Sequence, residues 1–257
     1  MSASRLPHYF ELLLYKSYAD LRAESARTYI GFVWWFIDPI VNMVLFYFVF
    51  SFLLDRGVEN YVPFLLVGMV VWKWFNSSVI VAANSIRANA GLINQVYIPK
   101  AFFPLVVVLE TSVKFAIAFA LLLAFLWAYG FPASVHYAAL PVVMAAQAAV
   151  IVSLALLLSS VVPFFPDLNI VLENVLRMLF FLSGVFFPTE RLPESIRSWF
   201  VLNPMLTLIE SFRDVLMYQR WPSWSGLLGV LVASLVLASV GFSILGRYDR
   251  VYPRSTR

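Results

Sequence analysis

The sequence predicts an all-α integral membrane protein. Six transmembrane helices are expected, with an N-terminal amphipathic helix at the interface and two short re-entrant or periplasmic-side helices between the fifth and sixth spans. Three observations predict this. Of 257 residues, 62% are hydrophobic and only 12% charged, against about 25% charged in soluble domains, and the mean hydropathy is +0.85. The apolar residues gather into blocks that approach or exceed the roughly 20 residues a membrane-crossing helix needs. One stretch, Phe181–Leu216, departs from that pattern: Pro188 ends an apolar helix, and Asn203-Pro204 divides two amphipathic pieces too short to span.

Residues 7–27 alternate apolar and charged positions at helical spacing. Phe10, Leu13, Leu14, Tyr18 and Leu21 share a face, whereas Glu11, Asp20, Arg22 and Glu24 fall mostly elsewhere. Such a helix lies in the headgroup plane; the alternative is a cytosolic helix packed on a partner. The first span covers 34–54 and opens on Trp34 and Trp35, rings that favour the interface. Its Asp38-Pro39 reads either as N-cap and first-turn proline or as a kink within a longer helix. The second span, 61–83, carries Lys73 between Trp72 and Trp74, a costly charge unless it faces protein or water.

A polar linker follows, with a short helix expected within 86–97. The third span, 101–129, and the fourth, 137–163, repeat small residues at every fourth position: Ala116, Ala120, Ala124 and Ala128, then Ala145, Ala149 and Ser153. In lipid such stripes let helix backbones approach closely. The fifth span covers 168–187, the short helices 189–216, and the sixth span 224–246, all within one transmembrane domain over 1–257. Six spans put both termini on one side. Arg5, Lys16, Arg22, Arg27, Arg87, Lys100 and the tail arginines outnumber Arg56, Arg191, Arg197, Arg213 and Arg220 opposite, so both termini are expected in the cytoplasm. The loop carrying most of that second group is locally neutral, because Glu190, Glu194, Glu210 and Asp214 lie among its arginines.

Composition narrows the chemistry. There is no cysteine and there are two histidines, which speaks against thiolate or imidazole metal sites. No GxxxxGK[ST] phosphate loop occurs, and neither a nucleophile elbow nor a paired-carboxylate cluster is evident. No long basic run suggests nucleic acid, and no removable signal peptide is expected. The informative residues are charges inside apolar blocks. Glu110 and Lys114 are spaced i, i+4, as are Glu173 and Arg177, with the acid N-terminal in both, the favourable order. Each pair reads as self-neutralising structure; a second reading places Glu173 and Arg177 on a conduit wall. On the second reading Glu173, Arg177, Phe180, Phe181 and Gly184 form one lining face, and Trp35, Asp38, Asn42 and Phe46 form a matching stripe on the first span. Aromatic faces mixed with hydrogen-bonding groups suit sugars.

Three motifs, in order, resemble the membrane subunits of type-2 ABC exporters: RTYIGFVWWFIDPIVNMVLFYFVF (Arg27–Phe50), NAGLINQVYIPKAFFPLVVVLE (Asn89–Glu110) and FLSGVFFPTERLPESIRSWFVLNPMLTLIESFRDVL (Phe181–Leu216). Length and the lack of large insertions resemble the polysaccharide branch of that family, the O-antigen type above all, with capsule and teichoic-acid permeases beside it and a drug- or lipid-exporting type-2 permease as the alternative. The resemblance implies a homodimer lined by spans one and five, working with two copies of a separate ATPase subunit. That partner would use ATP and magnesium, and this chain would bind no cofactor itself. It implies a polyprenyl-diphosphate-linked polysaccharide as cargo, moved from cytoplasm to periplasm across a bacterial inner membrane. The short helix within 86–97 would then couple to the ATPase, with Arg87, Leu92, Asn94, Gln95 and Tyr97 as contacts. Pro188, Glu190, Arg197, Trp199, Asn203 and Pro204 would form a periplasmic-side rim.

Overall fold

The computed structural model describes residues 6–27, 29, 31–48, 60–188, 203–249 and 252. Every regular element among them is helical. At the N-terminus, α1 (Leu6–Ala26) passes through a 3-10 turn, Gly31–Val33, into α2 (Trp34–Phe48). The two helices lie 95° apart across the elbow. Gly31 takes φ +59 there, and a Cβ would stand 3.1 Å from the Ser25 carbonyl oxygen, so the bend requires glycine. Pro39 sits inside α2 rather than at its first turn, where its ring withholds a donor from the Trp35 carbonyl.

Next come α3 (Tyr61–Ala83), the short α4 (Ser85–Ala88) and α5 (Ala90–Gln95), and α6 (Phe102–Tyr129). A 3-10 segment, Val135–Ala139, leads into α7 (Leu140–Val161). The chain closes with α8 (Leu168–Leu182), α9 (Pro204–Leu216) and α10 (Trp224–Tyr248). Four of the described helical segments are long and apolar enough to cross a membrane: α3, α6, Val135–Val161 and α10; the bent α1–α2 pair would make a fifth. By contrast, α8 has 15 residues, about 22 Å of helix against a hydrocarbon core of about 30 Å. Helix length alone therefore supports four or five spans where the sequence predicts six. The fifth helix, expected to reach residue 187, stops at Leu182 because Gly184 turns into the left-handed region at φ +68. Residues 49–54 of the expected first span and 189–202 of the expected short-helix region lie outside the described residues.

The hub is α3, whose apolar residues are buried almost all round. Leu65, Val67, Val71 and Val79 are fully covered, and Phe119 and Leu122 of α6, Val143 and Ala146 of α7, and Leu208 and Phe212 of α9 join them in one core. Trp74 stacks on Phe115 at 4.1 Å between ring centroids, and Gln147 donates to the Val71 carbonyl at 2.8 Å. Such polar links replace part of the hydrophobic drive that lipid does not supply. A second core gathers at the α4–α5 end: Ile86, Ile93, Phe102, Phe103, Leu245 and Tyr252, with Leu12 and Leu13 of α1 packed against it. Burial pushes the Tyr252 hydroxyl up to about 12, so it stays protonated and donates to the Ser160 carbonyl at 2.9 Å.

The α6 alanine stripe does not make the close helix contact that its spacing suggests: Ala116, Ala120, Ala124 and Ala128 are all exposed. The closest backbone approach at a glycine is instead between α10 and α7, where a Cβ on Gly241 would lie 2.7 Å from the Leu157 nitrogen.

A second departure concerns Arg213, expected in a loop neutralised by its neighbours. It lies on α9 and is 2% exposed. Its guanidinium donates to the carbonyls of Gly184 at 2.7 Å, Val185 at 2.9 Å and Phe64 at 3.0 Å, and it stacks 3.3 Å from the Phe64 ring centroid. Gly184 and Val185 follow the C-terminus of α8, the negative end of that helix, which favours a cation. Arg213 thus ties α9 to the end of α8 and the start of α3.

Candidate functional site

A groove of about 850 Å³ opens between α2, α3 and α6 and reaches Phe180 of α8. Its lining is sorted along the helices. On α3, Lys73, Asn76 and Ser77 lie toward the C-terminus and Leu66, Met69 and Val70 toward the N-terminus; on the next span, α6, Glu110, Thr111 and Lys114 precede Phe115 and Ala118. α6 returns alongside α3, with Ser78 donating to Thr111 at 2.7 Å and Trp74 stacked on Phe115. The charged residues therefore gather in one half of the groove, among Trp34, Trp35, Trp72 and Trp74, and the other half is apolar.

Ion pairs span the charged half. Asp38 of α2 accepts from Lys73 of α3. Asn42 orients that carboxylate, donating to the Asp38 carbonyl at 2.6 Å and to Oδ1 at 3.3 Å. Lys114 does not pair with Glu110. It donates to both oxygens of Glu24 on α1, at 2.7 and 2.6 Å, and lies 5.8 Å from the Trp35 ring centroid. Glu110 Oε1 is buried without a hydrogen-bond partner among the described residues. A smaller cleft of about 360 Å³ adjoins the groove, sharing Glu24, Val81 and Glu110 and carrying Lys16 and Asp20 of α1, with Arg27 just past its end, toward Ser85 and Asn89.

Of the expected lining residues, the fold brings Trp35, Asp38, Asn42 and Phe180 to this one groove. Phe180 reaches it by packing 5.5 Å from Trp72. Glu173, Arg177 and Phe181 lie exposed on α8 instead, and no ion pair joins Glu173 to Arg177 among the described residues. Gly184 is buried under Leu206, and nothing is described of the Phe46 side chain. In the expected rim, Glu190, Arg197 and Trp199 lie outside the described residues. Pro188 is half-buried and Pro204 exposed. Asn203 is a cap: its oxygen accepts from Met205 N at 3.0 Å while its amide donates to Ser183 Oγ at 2.9 Å. Lys73, Lys114 and Glu24 were not among the expected lining residues. The signal available for Lys73 was a lone cation between two tryptophans in an apolar block.

The expected coupling segment is broken at Asn89 into α4 and α5, and Tyr97 follows α5 instead of closing it. Arg87, Asn94, Gln95 and Tyr97 face outward, Tyr97 being 72% exposed. Leu92 packs inward against the second core, beside buried Ile86 and Ile93. Behind the segment, Lys100 is buried, donates to the Ile98 carbonyl at 3.0 Å and pairs with Asp249 at 3.8 Å.

Residues 19–217 match the family described as ABC-2 type transporter. The chain belongs to that family. The matched region runs from within α1 to just past α9, so it holds the groove and the α4–α5 segment and leaves α10 outside. Relatives of this ABC-2 chain extend over most of its length. It is 29% identical to the O-antigen export system permease protein RfbA of Myxococcus xanthus over 241 residues, 93% of each chain. Identity is 26% to the capsule polysaccharide export inner-membrane protein CtrC of Neisseria meningitidis, covering 90% of this chain and 88% of that protein. It is 25% to the polysialic acid transport protein KpsM of Escherichia coli, covering 77% and 78%.

Proposed function

We propose that this chain is the membrane-spanning permease subunit of an ATP-driven polysaccharide exporter of the O-antigen type. It acts as a homodimer in a bacterial inner membrane, with both termini in the cytoplasm, and passes a polyprenyl-diphosphate-linked polysaccharide to the periplasm. Nearly full-length relatives named for O-antigen and capsule export support the polysaccharide class. The observation that carries the reading is the groove itself: tryptophans, amides and paired charges share one cavity that extends to apolar walls on spanning helices. Ring faces cover the C–H surfaces of sugars, and polar groups exchange hydrogen bonds with their hydroxyls.

The chain has no phosphate loop of its own, so nucleotide chemistry with ATP and magnesium belongs to two copies of a separate ATPase subunit. The outward face of Arg87, Asn94, Gln95 and Tyr97 is where that partner docks. Capsule export is the second reading, favoured by the relatives of Neisseria and Escherichia. Deleting the gene and fractionating the cell's glycans tests both. Lipid-linked O-antigen trapped on the cytoplasmic face supports the first reading, trapped capsule supports the second, and unchanged surface glycans contradict both.

A further inference from the structure

Lys73 and Lys114 share one feature that polysaccharide passage does not explain. Both stand on helices of the central body, α3 and α6, yet both counter-ions come from the N-terminal elbow, Asp38 from α2 and Glu24 from α1. The Lys73 and Asp38 side chains are each 55% exposed, well inside the length of the α3 span. An ion pair left against hydrocarbon at that depth is costly, so the groove must hold water or a polar ligand there. The graded lining, charged and aromatic in one half and apolar in the other, has the form of an amphiphile.

We propose that this groove, within a single protomer, seats the head of the lipid carrier. Lys73 and Lys114 take the diphosphate, and the isoprenoid chain runs past Met69 and Phe115 toward Phe180. The assignment rests on the proposed export function for the identity of the carrier. Binding is an exchange of acceptors: phosphate oxygens replace Asp38 and Glu24 on the two ammonium groups, bonds that charge on both partners strengthens. The released carboxylates, with Asn42 and Trp35, then face the first sugars. Because both released groups belong to the α1–α2 elbow, loading the carrier removes that elbow's ionic ties to α3 and α6 and leaves its apolar contacts through Leu12, Leu13 and Met43.

The test uses the purified full-length chain in phosphatidylcholine nanodiscs, with bound lipid counted by native mass spectrometry. Undecaprenyl diphosphate is expected to bind about tenfold more tightly than undecaprenol. Lys73→Met and Lys114→Met each remove most of that preference, whereas Asp38→Asn increases it by removing the competing carboxylate. The opposite signs at Lys73 and Asp38 separate a ligand site from an ion pair that only holds helices together, since in that case both changes weaken the protein alike. Equal binding of the diphosphate and the alcohol, full displacement by phosphatidylglycerol, or weakening by Asp38→Asn overturns the assignment. Export in cells reads the function separately. A chain that exports polysaccharide yet shows no diphosphate preference overturns the groove assignment alone, and a preference without export overturns only the export reading.

Discussion

Arg213 shows at residue scale why a charge can sit in so apolar a chain. Three carbonyls and one aromatic ring hold its guanidinium, and a buried acceptor left unmade costs about 1–3 kcal/mol. Arg213→Met is therefore expected to destabilise the protein by about 3 kcal/mol or more, read as a lower midpoint of thermal unfolding in detergent. Arg213→Lys should recover only part of the loss, since an ammonium lacks the planar fork. The neighbouring glycine gives a sharper check. A Cβ on Gly68 would lie 2.6 Å from Arg213 Nη2, so Gly68→Ala is expected to destabilise by displacing the guanidinium. In an Arg213→Ala background the same change should cost much less, a coupling that a double-mutant cycle measures; simple additivity would contradict the contact. None of this was legible in the sequence, where Glu210 three residues before Arg213 and Asp214 directly after it make it look like a neutralised surface charge. Lys114 misled in the same way. The i, i+4 rule pairs it with Glu110, but Glu24, 90 residues away in the chain, takes its proton donors.

Elements were more legible than the contacts between them. In a membrane, length and apolar content alone dictate a spanning helix, and α3, α6 and α10 run over the blocks read from the sequence. Orientation about each axis needs a partner, which the sequence of one helix does not name. The α6 alanines were expected to make the close helix contact and face outward, whereas Gly241 brings α10 onto the α7 backbone. Gly241→Leu is accordingly expected to cost about 1–3 kcal/mol through overpacking, measured by thermal unfolding; Ala120→Leu on the exposed α6 stripe should leave the midpoint near the wild-type value. The linker between α3 and α6 divides similarly into two faces. Tyr97→Ala with Asn94→Ala should weaken co-purification of the ATPase without lowering the amount of folded permease, because both side chains are exposed. Ile93→Asp should lower the folded amount itself, because Ile93 is 5% exposed in the second core.

At the scale of the whole molecule, the helical body coheres through apolar packing, whereas the N-terminal elbow meets it through charge as well as through Leu12, Leu13 and Met43. The Lys73–Asp38 and Lys114–Glu24 pairs and a Ser17 hydroxyl on the Val106 carbonyl link α1 and α2 to α3 and α6, and the groove lies along that seam. A charged seam can open and close at lower cost than a dry core, as a carrier-loading step requires. On the proposed function, this chain conducts polysaccharide when an ATPase drives it. The most direct measurement places the chain and its ATPase subunit in inverted inner-membrane vesicles with radiolabelled lipid-linked O-antigen outside. The expected result is ATP-dependent accumulation of label in the lumen, lost in the Tyr97→Ala, Asn94→Ala pair. Accumulation equal with and without ATP, or equal in vesicles lacking the chain, would contradict it.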